Sequence, residues 1–140
     1  MKVYKISGVT LSVENMEKSC KFYSRIPGFK IAYGGSNADS FTTFEIGEDI
    51  TTKMYLNLEL RTNNDITISL NNRRNFGRII FYSEHVDELY SQFKNDASIS
   101  ELISFENEPR DALWGERFFH IRDPDDYKLS FAMSIRKKSD

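Results

Sequence analysis

Three stretches of alternating sequence carry polar side chains that could do chemistry. Side chains in a β-strand alternate between its two faces, so residues two apart share a face. On this basis a carboxylate, a guanidinium and an imidazole lie on polar strand faces, at Glu59, Arg78 and His120. A carboxylate and an imidazole can exchange protons, and a guanidinium binds anions, so these faces are the candidates for function. The candidate site residues on them are Tyr55, Asn57, Glu59, Arg78, Tyr82, His120 and Ser130.

The stretch from Trp114 to Met133 is typical of a β-hairpin. Two alternating runs flank the sequence Asp-Pro-Asp-Asp, in which Asp123 and Asp125 are predicted to form the turn. One face of both runs is apolar and is predicted to pack in a core. That face carries Phe119, Ile121, Leu129, Phe131 and Met133.

The first half of the chain has the pattern of a strand, a helix and three strands. A strand is predicted from Val3 to Val13, and Asn15 can cap a helix over Met16 to Arg25. Gly and Pro punctuation then separates the remaining strands. These are predicted at Phe29 to Tyr33, Phe41 to Ile46 and Lys53 to Leu60.

The second half repeats this order. Ser83 is predicted to cap a helix in which Val86, Leu89, Tyr90 and Phe93 follow the i, i+3, i+4, i+7 spacing of an apolar stripe. An internal repeat of this size predicts an α+β fold built from two βαβββ modules. The strands of the second half are predicted at Gly77 to Ser83, Leu102 to Phe105, Glu116 to Arg122 and Tyr127 to Ser134.

The repeat divides a single predicted domain, residues 1–140, into two modules. Module one covers about residues 1–62, and module two covers about residues 76–135. A polar connector of about residues 63–75 lies between them. Its short apolar alternation at Ile66, Ile68 and Leu70 could form an extra strand or an arm.

Composition excludes several classes of function. The 140 residues include 39% hydrophobic residues, enough for one packed core, but no long apolar run that would span a membrane. The net charge of -2 is scattered, which does not favour a nucleic-acid partner. One cysteine, Cys20, rules out an internal disulfide framework. The first residues lack the pattern of a signal peptide, so a cytoplasmic location is expected.

Three segments in order resemble the vicinal oxygen chelate superfamily, which includes glyoxalase I, bleomycin-resistance proteins, fosfomycin-resistance enzymes and extradiol dioxygenases. The segments are VTLSVENMEKSCKFYSRIPGFKI, FGRIIFYSEHVDELYSQF and WGERFFHIRDPDDYKLSF, and the last is the most specific. The resemblance implies paired modules whose sheets curl into a cup, with helices on the outer faces. It also implies a homodimer. The turn differs from the family in having Asp126 where a glycine is usual, which asks that aspartate to adopt a left-handed conformation.

The resemblance also implies where a divalent metal would bind. Enzymes of the superfamily typically hold it through a His, a Glu, a His and a Glu, and the matching positions here are Gly8, Glu59, Arg78 and Ser130. Only Glu59 is retained. Glycine has no side chain to donate, a guanidinium has no free lone pair, and a neutral hydroxyl is a poor ligand. We therefore expect no metal cofactor, and we expect Arg78 to pair with Glu59 or with an anionic ligand in its place.

Three functions follow from this reading. The first is a metal-independent protein of the glyoxalase/bleomycin-resistance type that binds a small molecule in the cup. The second is an enzyme, a divergent lyase, isomerase or dioxygenase, either with a divalent metal on a rearranged set of Glu59, His120 and Glu45 or with Glu59 as a metal-free acid/base catalyst. The third is a structural role in which the protein's own side chains fill the cup.

Overall fold

The computed structural model of the protein describes residues 1–62 and 77–135. The chain forms two compact units, Met1–Thr67 and Ile68–Asp140. The predicted connector, and with it the alternation at residues 66–70, lies outside the described residues.

Over residues 1–62, the first unit is a four-stranded sheet with one helix. Its elements in chain order are β1 (Gly8–Val13), α1 (Met16–Tyr23), β2 (Phe29–Tyr33), β3 (Phe41–Ile46) and β4 (Met54–Leu60). The strand order is β1-β4-β3-β2, in which β1 runs parallel to β4 and the other pairs are antiparallel. The register places Gly8 beside Tyr55 and Ser12 beside Glu59. The candidate residues of β4 therefore share a face with the polar residues of β1.

The helix α1 covers the apolar side of this sheet because its apolar residues recur at helical spacing. Asn15 caps it as predicted, since the side-chain oxygen of Asn15 accepts the Lys18 N–H at 3.0 Å. Tyr23 at the end of the helix is fully buried, with its ring centroid 6.1 Å from that of Phe44. The rest of this core consists of Leu11, Val13, Met16, Cys20, Phe22, Ile26, Leu56 and Leu58.

Over residues 77–135, the second unit is a five-stranded sheet with two helices. Its elements in chain order are β5 (Arg78–Tyr82), α2 (Val86–Asn95), α3 (Ala97–Ser100), β6 (Ser104–Phe105), β7 (Arg110–Ala112), β8 (Glu116–Arg122) and β9 (Lys128–Ser134). The strand order is β5-β9-β8-β6, and β7 also pairs with β8. The predicted hairpin of β8 and β9 is confirmed, and it lies beside β5, which runs parallel to β9.

The hairpin turn is held by one buried carboxylate. The side-chain Oδ1 of Asp123 accepts the backbone N–H of Asp125 at 2.8 Å and that of Tyr127 at 2.9 Å. Asp126 adopts a left-handed backbone conformation with φ 72°, as the sequence predicts. Aspartate tolerates this region because its short polar side chain can bond locally. The turn thus fixes how β8 and β9 align.

An aromatic cluster forms the core of the second unit. Phe119 of β8 is fully buried, with ring centroids 5.3 Å from Tyr90, 6.3 Å from Phe93 and 5.3 Å from Phe131. These contacts join α2 to both strands of the hairpin. The apolar face predicted for the hairpin is therefore the face that packs on the helix.

The predicted α+β fold with two repeated modules is confirmed, and some details differ. The first strand begins at Gly8 rather than Val3, and the second unit adds the short strand β7 and the short helix α3. The prediction that Ser83 caps the second helix is wrong. The N-cap is His85, and the backbone N–H of Ser83 instead donates to the carbonyl of Ala132 at 2.9 Å. Ser83 is thus still bonded to β9, two residues before the cap.

Candidate functional site

Alternation and register place the candidate residues of the second unit on one face of its sheet, opposite the helix α2. Residues paired across β5, β9 and β8 form rows perpendicular to the strands. We call this surface the site face. Its first row is cationic, its second has an isoleucine and two polar residues, and its third is aromatic around a small residue. The rows are Arg78, Lys128 and Arg122; Ile80, Ser130 and His120; and Tyr82, Ala132 and Phe118.

Arg78 is fixed to the site face by three hydrogen bonds. Its Nη1 donates to the carbonyl of Leu129 at 3.0 Å and to Oγ of Ser130 at 3.1 Å. Its Nη2 donates to Oε1 of Glu106 at 3.4 Å. A guanidinium has five N–H groups. One bond each to Leu129, Ser130 and Glu106 uses three of them within this unit, which leaves two for another acceptor.

Ser130 and His120 form a hydrogen-bonded pair. Oγ of Ser130 lies 2.6 Å from Nδ1 of His120. Because Arg78 can only donate, the Ser130 hydroxyl accepts from the guanidinium, and its own proton is available to donate to Nδ1. In the tautomer to which Ser130 donates, the proton of the neutral imidazole is on Nε2, which is then a hydrogen-bond donor. The backbone N–H of His120 also donates to Oδ1 of Asn107 at 3.0 Å, which fixes this part of β8.

The charge around His120 is predominantly positive. Burial lowers the pKa of His120, and the nearby Arg78 and Arg110 charges lower it further, while Glu106 acts in the opposite direction. Arg122 shares Glu106 with Arg78, because its Nε lies 3.8 Å from Oε1 of that carboxylate. One carboxylate thus serves two guanidinium groups, and the imidazole stays neutral.

This arrangement predicts the titration of His120. In the unfolded chain the imidazole binds a proton as pH falls through the ordinary value of 6.5, whereas in the folded chain it does so at lower pH. The stability due to the neutral imidazole is therefore present above pH 6.5 and is lost as pH falls.

NMR titration should place the midpoint of His120 protonation below pH 6.5, and this midpoint should move upward in Arg78→Met. Burial is the larger cause, so the variant should recover only part of the shift. An unchanged midpoint in the variant would contradict the effect of the Arg78 charge on the pKa of His120.

The third row ends in an aromatic cluster fixed by a carboxylate. Oε1 of Glu116 accepts the indole N–H of Trp114 at 2.6 Å, and its Oε2 accepts the hydroxyl of Tyr82. The Trp114 ring stacks on Phe118, with centroids 6.2 Å apart and an interplanar angle of 19°. On the other side the Phe118 ring lies 4.7 Å from the His120 ring. Aromatic contacts therefore join Trp114 to the imidazole.

The candidate residues of the first unit lie on the polar face of its own sheet. Asn57 links three strands, because it accepts from Oγ1 of Thr43 at 2.8 Å and donates to Oγ1 of Thr10 at 3.2 Å. Tyr55 and Glu59 are exposed on either side of it along β4. Within the second unit the carboxylate partner of Arg78 is Glu106, which the sequence did not single out. The pairing of Glu59 with Arg78 stays a prediction.

The four positions at which the superfamily holds a metal do not fit one here. A side chain at Gly8 would begin only 2.9 Å from the Tyr55 carbonyl oxygen, so the backbone would have to shift to accept a ligand there. Arg78 has only donor groups and Ser130 lies between Arg78 and His120, bonded to both, so neither side chain offers a free ligand atom. Over residues 1–62 and 77–135, no three His, Cys, Asp or Glu side chains are placed to share a metal ion.

The contacts also do not support the alternative set of metal ligands, Glu59, His120 and Glu45. Glu45 is paired with Lys53 in the first unit, with Nζ 2.9 Å from Oε1. The neutral His120 ring offers one lone pair, and in the tautomer to which Ser130 donates this lone pair is on Nδ1, 2.6 Å from Oγ of Ser130. A ligand role for either residue would require these contacts to break.

Comparison with known proteins identifies the family. Residues 6–136 match the family described as the glyoxalase-like domain, so the chain belongs to this family, and the resemblance predicted from the sequence is confirmed. No curated protein matches the chain. In the described part of the chain, no helix is long and apolar enough to cross a membrane.

Solved structures of the same fold come from several bacteria. A glyoxalase-related enzyme from Fulvimarina pelagi is 14% identical, with 94% of this chain and 89% of that chain covered and a TM-score of 0.70. A fosfomycin resistance protein from Listeria monocytogenes is 20% identical, with 95% of both chains covered and a TM-score of 0.68. A glyoxalase/bleomycin resistance protein/dioxygenase family enzyme from Burkholderia phytofirmans is 13% identical, with 91% of this chain and 97% of that chain covered and a TM-score of 0.63. These similarities show the fold.

Sequence reasoning missed three residues that organise the site face. Glu106 and Asn107 lie between β6 and β7, outside any alternating stretch, so no pattern marked them. Glu116 begins β8 and shares a face with His120, four residues further along. Its alternation with His120 was a signal that could have identified it.

Proposed function

We propose that this protein binds an anionic small molecule on the site face of its second unit, without a metal ion. The observation that carries this proposal is the fixed position of Arg78. Its guanidinium is held by the Leu129 carbonyl and the Ser130 hydroxyl, and a side chain fixed in this way loses little entropy when a ligand binds.

The donors that remain define the ligand. In the His120 tautomer to which Ser130 donates, two N–H groups of Arg78 and the Nε2–H of His120 lie in adjacent rows of the site face, and all three can only donate. A carboxylate, phosphate or phosphonate supplies several acceptors and a negative charge to this set. The ligand we propose is therefore an anion with at least two acceptor oxygens.

The surrounding charges support an anion rather than a cation. Arg110, Arg122 and Lys128 lie on or beside the site face with Arg78, and these four cations outnumber the nearby carboxylates of Glu106, Asp126 and Glu116. The side chain of Arg78 is 24% exposed, so its charge is partly withdrawn from water. Coulomb attraction is stronger in such partly desolvated surroundings than in bulk water. An anion would restore the charge balance, whereas a cation would be repelled.

The biological role we propose is sequestration or sensing of this ligand by a homodimer. The similarity to a fosfomycin resistance protein and to a member of the bleomycin resistance superfamily supports small-molecule binding in general. Tyr55, Asn57 and Glu59, on the polar face of the first unit's own sheet, stay predicted ligand contacts. The enzyme alternatives based on Glu59 stay predictions.

A paired substitution tests the proposal. Carboxylates, phosphonates and their neutral amide or alcohol counterparts are screened by thermal shift, because a ligand that binds only the folded state raises Tm. The anions should raise Tm more than the neutral compounds. Arg78→Met should then weaken the binding of the best anion by about 10- to 100-fold, since hydrogen bonds to a charged group contribute about 1.5–3 kcal/mol.

The matched control is Arg25→Met, which removes an arginine from an exposed position of the first unit. It should leave the dissociation constant unchanged. If no anion stabilises the protein, or if Arg78→Met binds as tightly as the unchanged chain, the proposal is wrong.

A further inference from the structure

Large apolar side chains are exposed at the third row of the site face and beside it. Tyr82 is 69% exposed, Ile80 is 62% exposed and Trp114 is 60% exposed. Burial of such side chains is ordinarily favourable, and aromatic rings carry the largest area. Two aromatic rings and an isoleucine left in water beside a cationic cluster suggest a surface that a ligand covers.

These rings are also held in place. Glu116 accepts hydrogen bonds from both Trp114 and Tyr82, one on each carboxylate oxygen. Trp114 is further stacked on Phe118, which is itself buried. We call Trp114, Tyr82 and Phe118 the aromatic platform. Because its rings are already fixed by these contacts, a ligand that stacks on the platform does not have to order them.

The platform is continuous with the anion-binding donors. Successive rows of one strand face are two residues apart, which is about 6.6 Å at a rise of about 3.3 Å per residue. Phe118 is one row from His120, and Tyr82 is two rows from Arg78. A single small molecule can therefore contact both the platform and the donors.

We infer that the ligand is a planar aromatic or heteroaromatic compound that carries an anionic group. This inference rests on the proposed function and names its ligand class. The ring stacks on the exposed rings of Trp114 and Tyr82, and the anionic group accepts hydrogen bonds from His120 Nε2 and Arg78. Offset stacking suits a planar ring better than an aliphatic group of the same size. Glu116 is a positioning residue, because it acts through the two rings that it holds.

Trp114 provides a direct test, because it is the single tryptophan of the chain. A nitrophenyl group that stacks on the indole quenches its fluorescence. The probe is para-nitrophenylacetate, the carboxylate anion of 4-nitrophenylacetic acid. It is compared with the amide of the same acid, which lacks the charge, and with cyclohexylacetate, which lacks the aromatic ring. Free N-acetyltryptophanamide corrects for light absorbed by the probe. Cyclohexylacetate is measured by its competition with the nitrophenyl anion.

We expect saturable quenching by para-nitrophenylacetate, with a dissociation constant about tenfold lower than that of either comparison compound. Tyr82→Leu should weaken binding of the nitrophenyl anion and leave that of cyclohexylacetate unchanged. Tyr82→Phe keeps the ring and should retain more of the binding than Tyr82→Leu. Arg78→Met should reduce the affinity for the anion to that for the amide.

Three results would overturn the inference. If cyclohexylacetate binds as tightly as the nitrophenyl anion, the ligand need not be aromatic, although the proposed anion site stands. If quenching rises linearly without saturation, the indole is merely exposed. If quenching is absent and Trp114 emission shifts to the blue as sedimentation shows a dimer forming, a second copy of the chain covers the platform. Loss of anion binding altogether, with the thermal shift also absent, would instead refute the proposed function.

Discussion

Replacing Phe119 by alanine should lower the free energy of unfolding by about 3–5 kcal/mol, the usual cost of removing a buried aromatic side chain. Phe119 is fully buried and its ring contacts those of Tyr90, Phe93 and Phe131. The change removes apolar area from the core and leaves a cavity that these rings cannot completely fill. Urea denaturation measured by circular dichroism gives the free energy.

The effect matters for function because Phe119 lies between two residues of the site face. Phe118 and His120 are its neighbours on β8, and their side chains are on the opposite side of the sheet. The control is Phe119→Leu, which keeps most of the apolar volume and should cost clearly less than the alanine change. Equal and small losses for both substitutions, below about 1 kcal/mol, would show that this ring does not organise the core.

The hairpin was predictable because its determinants are local. Alternation along β8 and β9 separates Phe119 and Leu129 from His120 and Ser130, and the structure confirms these faces. The turn was predictable for the same reason, since aspartate side chains bond their own backbone two residues on. Asp123 bonds the N–H of Asp125 in this way. Local chemistry therefore predicted both the strands and how they align.

Burial of both faces of β9 was not predictable from alternation. Ser130 and Ala132 are on the face assigned as polar, yet each is 2% exposed. Their strand lies between β5 and β8, so neighbouring side chains cover it from both sides. Strand order depends on pairing between distant parts of the sequence, which periodicity does not report.

The partners of the charged groups also depend on distant pairing. Alternation placed Arg78 on a polar face, but its bonds to Ser130 and Glu106 join it to residues 52 and 28 positions away. Arg61 is a further case, since it is 7% exposed, donates to the Ser12 carbonyl at 3.1 Å, and has a buried Nη1 without a hydrogen-bond partner. Its position at the end of module one, next to the polar connector, gave no sign of burial.

Metal content together with binding affinity tests the central claim of metal-independent binding most directly. The purified protein is analysed for metals, and the best anion from the thermal-shift screen is then titrated by calorimetry before and after treatment with a chelator. Because we propose that Arg78 supplies the positive charge that a metal would otherwise supply, we expect far less than one metal ion per chain and the same dissociation constant in both titrations. About one divalent metal ion per chain, with anion binding lost after chelation and restored by the metal, would contradict the account.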